Sequence, residues 1–192
     1  MFAKIRWRKA KFYLCSIVAS MLATPGVADS NGMRVEQVKT AFVLNIARFV
    51  EWPSVANQPK PSSQLAICLQ HANPMFESML AISGETISER PITINPISHF
   101  NNLTTCQIVL IAESELTKFQ AEVATELNQP ILTILDMTES NQANSARSNI
   151  LVTLVRKGAR IGFEINLEKA RGVNLRLSSE LLKLATIVKE GG

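Results

Sequence analysis

The chain has 192 residues, of which 46% are apolar and 19% charged, with 8 Gly and 8 Pro. That balance describes one globular domain and excludes a disordered or collagen-like chain. The longest apolar run near the start, Phe12 to Ala23, covers 12 residues, short of the ~18 to 20 that span a bilayer, so a multi-pass membrane protein is excluded as well.

The pI of 9.1 suggests a nucleic-acid binder until the charge is located. Residues 1–11 carry Lys4, Arg6, Arg8, Lys9 and Lys11 and no acid, and the apolar run follows, then Thr24-Pro25-Gly26-Val27-Ala28. A basic start, a short apolar stretch and small residues at Gly26 and Ala28 predict a secretory signal, residues 1–28, cleaved after Ala28. An uncleaved anchor is the alternative, for which the run is short. Cys15 lies inside the run with no small-residue box before it, which argues against a lipoprotein. Five of the 20 basic residues leave with the signal, so 15 face 16 acids and the net charge falls from +4 to about −1. With the basic cluster gone, nucleic acid is not an expected partner.

The mature chain, 29–192, is expected to form a single α/β domain. Residues 33–52 place Val35, Val38, Phe42, Ile46 and Phe49 at helical intervals, with Val43, Leu44, Ala47 and Val50 thickening the stripe. A largely buried helix is expected, stopped by Pro53. Residues 54–63 read as an exposed loop. Leu65 to Leu69 is an apolar run of the kind covered on both faces of a parallel sheet. Asn73-Pro74 opens a helix that ends near Gly84. Residues 91–97 form a weaker strand, 107–112 a buried one, 114–128 a helix and 131–135 another strand. A polar loop follows over 137–148. Strands at 149–155 and 160–165 flank a hairpin turn at Arg156-Lys157-Gly158-Ala159, and a last helix runs from about 178 to 188. The expectation is a sandwich: a mainly parallel sheet flanked by helices, with one antiparallel hairpin near the C-terminus.

Catalytic signals are sparse. The mature chain has two aspartates, Asp29 and Asp136, and two histidines, His71 and His99. No phosphate-cradling loop, GxSxG or HExxH spacing occurs, and no cofactor is expected. Ser114, between Glu113 and Glu115, reads as a helix N-cap. Asp136, at the end of a strand, sits where α/β sheets place functional groups, and equally where a turn residue belongs. Once Cys15 leaves, Cys68 and Cys106 remain, an even pair that suits one disulfide in an oxidising compartment. Zinc binding with His71 and His99, at an uncommon spacing, and two free buried thiols are the alternatives. Straight parallel register would hold the two cysteines beyond the ~7 Å a disulfide tolerates, so a stagger or a loop at Thr104-Thr105 must bring them together.

Two stretches carry a resemblance. Residues 39–53, KTAFVLNIARFVEWP, and residues 162–168 with 175–185, GFEINLE and LRLSSELLKLA, resemble the opening and closing signatures of the YfiR-like family. The segments around Cys68 and Cys106 resemble its two cysteine-bearing strands, and the likeness extends over about 36–186. It implies a non-enzymatic periplasmic α/β protein, able to form a homodimer, with Cys68 and Cys106 in a structural disulfide. It implies a repressor that binds the periplasmic sensor part of an inner-membrane diguanylate cyclase and is sequestered by an OmpA-like outer-membrane lipoprotein, so that cyclic-di-GMP and biofilm formation are held low. A second cysteine pair that some members carry near 137–153 is not in this sequence.

Within the closing signature, Phe163, Ile165 and Leu167 alternate as core. Glu164 and Asn166 point the other way, and Arg176 follows a turn at Gly172. These three are the candidate partner-binding residues, Glu164 and Arg176 being able either to pair with each other or to present a surface. Trp52 reads as a packing anchor. A periplasmic small-molecule-binding or sensory protein, with its ligand at the carboxyl edge of the sheet, is the rival reading.

Overall fold

The computed structural model describes residues 30–53, 63–123, 127–140 and 147–189. The signal segment with Ala28, and most of the loops expected at 54–63 and 137–148, lie outside the described residues. Helix α1 is Ser30–Arg48, and the two-residue strand β1 (Val50–Glu51) follows it. In the remaining chain the order is β2 (Leu65–Gln70), α2 (Phe76–Leu80), β3 (Thr86–Ile87), β4 (Arg90–Ile97) and β5 (Ile108–Ala112). A 3-10 turn (Glu113–Glu115) leads into α3 (Leu116–Glu122), then β6 (Leu132–Met137), β7 (Val152–Lys157) and β8 (Arg160–Asn166). The chain closes with α4 (Leu167–Gly172), β9 (Arg176–Leu177), α5 (Ser179–Leu184) and β10 (Thr186–Val188).

Eight strands form one sheet in the order β10-β8-β7-β6-β5-β2-β4-β3, and β1 with β9 forms a separate antiparallel pair. The centre is parallel: β4, β2, β5, β6 and β7 run the same way, and β8 returns antiparallel from β7. This is the expected α/β sandwich with one hairpin near the C-terminus. Gly158, at φ +62°, takes the left-handed conformation that the tight hairpin turn needs. Alternation along each strand divides the core between the faces. One face carries Ile67, Ile108, Ile134, Val152, Phe163 and Ile165 against residues of α1, α2, α4 and α5. The other carries Cys68, Val109, Ile111, Leu135 and Met137 against Phe100, Leu103, Leu116 and Phe119.

Several elements differ from expectation. The inner face of α1 is Lys39, Thr40, Val43, Leu44, Ile46 and Ala47, with Val50 buried just beyond it in β1, while Val38 and Phe49 stay exposed. Of the expected stripe Ile46 is buried, and so are the residues expected to thicken it, with Lys39 and Thr40 in addition. Apolar side chains such as Val43 and Ile46 contribute roughly 1.5–3 kcal/mol each on full burial. Helix α2 is only five residues long, because Asn73 turns the chain first: its Oδ1 accepts from the Met75 N–H at 3.0 Å. Ser114 does not cap α3. The side chain that reaches back is Glu115, whose Oε2 accepts from the Ala112 N–H at 2.7 Å. The last helix stops at Leu184, and the chain continues as β10, a parallel edge strand on β8. Asn149 takes φ +62°, a left-handed turn that delays β7 until Val152. Pro96 is tolerated in β4 because β3 covers only Arg90 and Pro91, leaving the outer edge beside Pro96 open.

Candidate functional site

The cysteines come together through a turn. Cys68 lies opposite Val109 in the β2–β5 register, three residues beyond Cys106. The Cys106 N–H donates to Leu103 O at 3.0 Å, and this turn lays Cys106 over the face to which Cys68 points. The two form a disulfide with Cα atoms 5.8 Å apart, inside the usual range. The other members of the notional zinc set are elsewhere: the His71 ring packs on Phe76 at 4.3 Å, and His99 Nδ1 lies 2.9 Å from Glu122 Oε1. Among the described residues no group of three His, Cys, Asp or Glu could hold a metal ion.

The carboxyl edge of the parallel strands holds two buried polar clusters. At the end of β6, Asp136 Oδ1 accepts from the N–H and the hydroxyl of Thr138, at 3.0 and 2.7 Å, the turn bonding expected of an aspartate there. Its Oδ2 lies 2.9 Å from Lys39 Nζ, which is also 2.9 Å from Glu36 Oε1. Burial pushes the Lys39 ammonium down, but the bonds and charges of Glu36 and Asp136 outweigh it, and the net shift is upward. Lys39 thus bolts α1 to the sheet. Its signal in the sequence is its position, since it lies on the same helical face as Val43 and Ile46.

The second cluster follows β5. Glu115 Oε2 accepts from Asn73 Nδ2 at 2.9 Å as well as from Ala112 N–H, while Oε1 is buried without a partner. Burial pushes the Glu115 carboxyl above its ordinary value, against the pull of those two hydrogen bonds and of Lys118. Apart from one buried oxygen in each, Glu36 Oε2 and Glu115 Oε1, which have no hydrogen-bond partner among the described residues, both clusters are spent on internal bonds and give this edge a structural role.

The candidate partner residues lie elsewhere and do not form one cluster. Glu164, opposite Thr153 in β7 and Thr186 in β10, pairs with Arg147 at 2.7 Å. Asn166 is nearly buried and caps α4, its Oδ1 accepting from the Lys169 N–H at 3.0 Å. Arg176 is exposed on β9, opposite Glu51 of β1. Phe163 and Ile165 are core residues as expected, but Leu167 has left the strand as the first residue of α4. Trp52 packs against the core, with the Arg90 guanidinium 5.5 Å from its ring centre.

Among the described residues no helix is long and apolar enough to cross a membrane. No curated protein matches the chain. The family model described as YfiR/HmsC-like matches residues 36–186. That match supports, in general terms, a periplasmic regulator of the cyclic-di-GMP pathway, and a match over most of the chain means that it belongs to the YfiR/HmsC-like family.

Proposed function

We propose that the chain is exported, cleaved after Ala28, and represses an inner-membrane diguanylate cyclase from the periplasm by binding its sensor part. The family match over 36–186 carries this reading. The mechanism is a protein–protein equilibrium without catalysis. The bound repressor stabilises an inactive cyclase, and an OmpA-like outer-membrane lipoprotein withdraws it. A differential affinity of about 5.5 kcal/mol would drive such a two-state switch from 1:99 to 99:1. A homodimer of the repressor would present two such surfaces to a dimeric cyclase.

Glu164, Asn166 and Arg176 are the proposed partner-binding residues, with different weights. The half-buried Glu164 and exposed Arg176 can reach a partner directly, whereas Asn166 acts through the start of α4. The test is cellular cyclic-di-GMP in a deletion strain complemented with the full gene, with a version lacking residues 2–28, and with Glu164→Arg or Arg176→Glu. The level should rise on deletion, and only the exported wild-type form should restore it. A level unmoved by deletion would end the repressor reading.

A further inference from the structure

Charge is unevenly divided along the chain. Residues 30–140 hold six Lys and Arg against 11 acids, and residues 147–189 hold nine against three. The sheet order puts β7, β8 and β10 together at one end, where the β7–β8 hairpin carries Arg156, Lys157 and Arg160. The basic end has a focus. Lys157 and Arg160 are register partners at the mouth of the hairpin, and Lys157 Nζ donates to the Thr186 hydroxyl at 2.5 Å. That bond brings the hairpin to the corner where α5 gives way to β10. There Lys183 is exposed, and beside it stand Leu184, 72% exposed, and Ile187, 46% exposed.

Among the described residues, Lys157, Arg160 and Lys183 make no ion pair. Their acidic neighbours are limited: Glu139 is taken by Arg156, Glu164 is taken by Arg147, and Glu180 lies in the first turn of α5. From Leu181 to Lys189 there is no acid.

We propose that this corner docks on an anionic phospholipid surface, with Leu184 and Ile187 entering the headgroup region and Lys157, Arg160 and Lys183 meeting the lipid phosphates. Lysines guarding an open strand edge are common, but a guard does not place a leucine at the outermost position. Strand addition by a protein partner is the weaker fit, because β10 has only three residues and so few free backbone groups to offer. Exposed apolar side chains set among cations are the pattern of interfacial membrane binding. The inference stands apart from the identity of any cyclase.

The test uses the exported protein, purified from the periplasm and mixed with vesicles of phosphatidylglycerol and phosphatidylethanolamine or of phosphatidylcholine alone. Co-sedimentation should be confined to the anionic vesicles and fall steeply with salt. The variant K157E/R160E/K183E should bind on the order of a hundredfold more weakly, at roughly fivefold per lost cation before reversal is counted. Leu184→Asn, a change at an exposed position that the fold will tolerate, should weaken binding while keeping the salt dependence. No sedimentation with anionic vesicles, or undiminished binding by the triple variant, would overturn the proposal. So would a patch that binds polyglutamate while leaving both kinds of vesicle alone, since it would then read an acidic protein.

Discussion

Replacing Asp136 by Asn tests whether the Lys39 cluster holds α1 on the sheet. Asparagine keeps the shape and the Oδ1 that accepts from Thr138 N–H and Oγ1–H, at 3.0 and 2.7 Å. It turns the oxygen 2.9 Å from Lys39 Nζ into an amide that cannot accept. The Lys39 side chain is only 3% exposed, and its two partners are 18% and 14% exposed, so solvent cannot replace the lost charge. Breaking a buried pair from one side costs about 3–5 kcal/mol. Glu36 remains, so the lower end, about 3 kcal/mol, applies here. For a chain of this size that is a drop in Tm of about 6–12 °C. Lys39→Met removes the buried ammonium itself, so K39M/D136N should be less damaged than the two single effects combined, with a coupling of about 2 kcal/mol. Thermal melts of the four proteins give the cycle. A D136N melt within about 2 °C of the parent, or strict additivity, would refute the reasoning. The sign with pH is fixed as well. The folded-state pKa of Lys39 is raised, so its contribution is complete below the unfolded lysine value and fades as pH climbs through the folded one. Lys39→Met should abolish that alkaline loss.

The Cys68–Cys106 disulfide closes a separation of 38 residues, which chain entropy values at about 4 kcal/mol. Cys68→Ser with Cys106→Ser, or melting in reductant, should therefore lower Tm by about 8–16 °C; an unchanged melt would mean the reduced unfolded chain is already confined. Glu115 is a carboxyl held above its ordinary value, so ionising it opposes folding once pH passes the unfolded carboxylate range. Glu115→Gln keeps an oxygen for Asn73 and Ala112 and should stabilise the fold at neutral pH. In acid, where both states are protonated, chemical denaturation should show no such gain. Asn166→Ala should cost about 1 kcal/mol through the lost α4 cap, whereas Asn166→Asp keeps the acceptor and should restore the melting temperature. If Asn166→Asp restores stability but not cyclase repression, a partner contact is at work beyond the cap.

The strands were legible where burial is continuous. Leu65 to Leu69 and Ile131 to Leu135 have no polar face, and β2 and β6 fall within a residue or two of expectation. The hairpin was legible from Gly158 between two alternating runs. What failed was of two kinds. Apolar residues occupy more than half the circumference of α1, so periodicity alone allows a stripe through Val38 and Phe49, both exposed, together with Ile46, which is buried. Lys39 on the true inner face broke the pattern, since a buried lysine makes sense only when Asp136, almost a hundred residues away, is brought alongside. The C-terminal misreading has a different cause. Leu181 to Val188 has residues that suit a helix, yet Ala185 turns to an extended conformation, ψ 155°, and Thr186-Ile187-Val188 joins β8. The β-branched run was the available signal, but only the free edge of β8 decides between strand and helix.

These differences bear on where recognition can occur. In open α/β sheets the carboxyl edge is the usual place for a ligand, and Asp136 and Glu115 stand there. Lys39 of α1 and Thr138 occupy the Asp136 carboxylate, while Asn73 and the Ala112 N–H occupy that of Glu115. A ligand entering either place would have to compete with buried bonds made inside the fold, and a substitution would register in stability before it registered in binding. Glu164 and Arg176 are different in kind. Arg147, which pairs with Glu164, and Glu51, which lies opposite Arg176 in the strand register, are themselves at least partly open to water. A pair open to water contributes about 0–1 kcal/mol to folding, so the exposed Arg176 can meet a partner's charges at little cost in stability, and the half-buried Glu164 at somewhat more. Charge reversal there should therefore separate the two effects, leaving the melt close to the parent while the level of cyclic-di-GMP moves. If the reversals instead unfold the chain, these residues hold the sheet together and the recognition surface lies elsewhere.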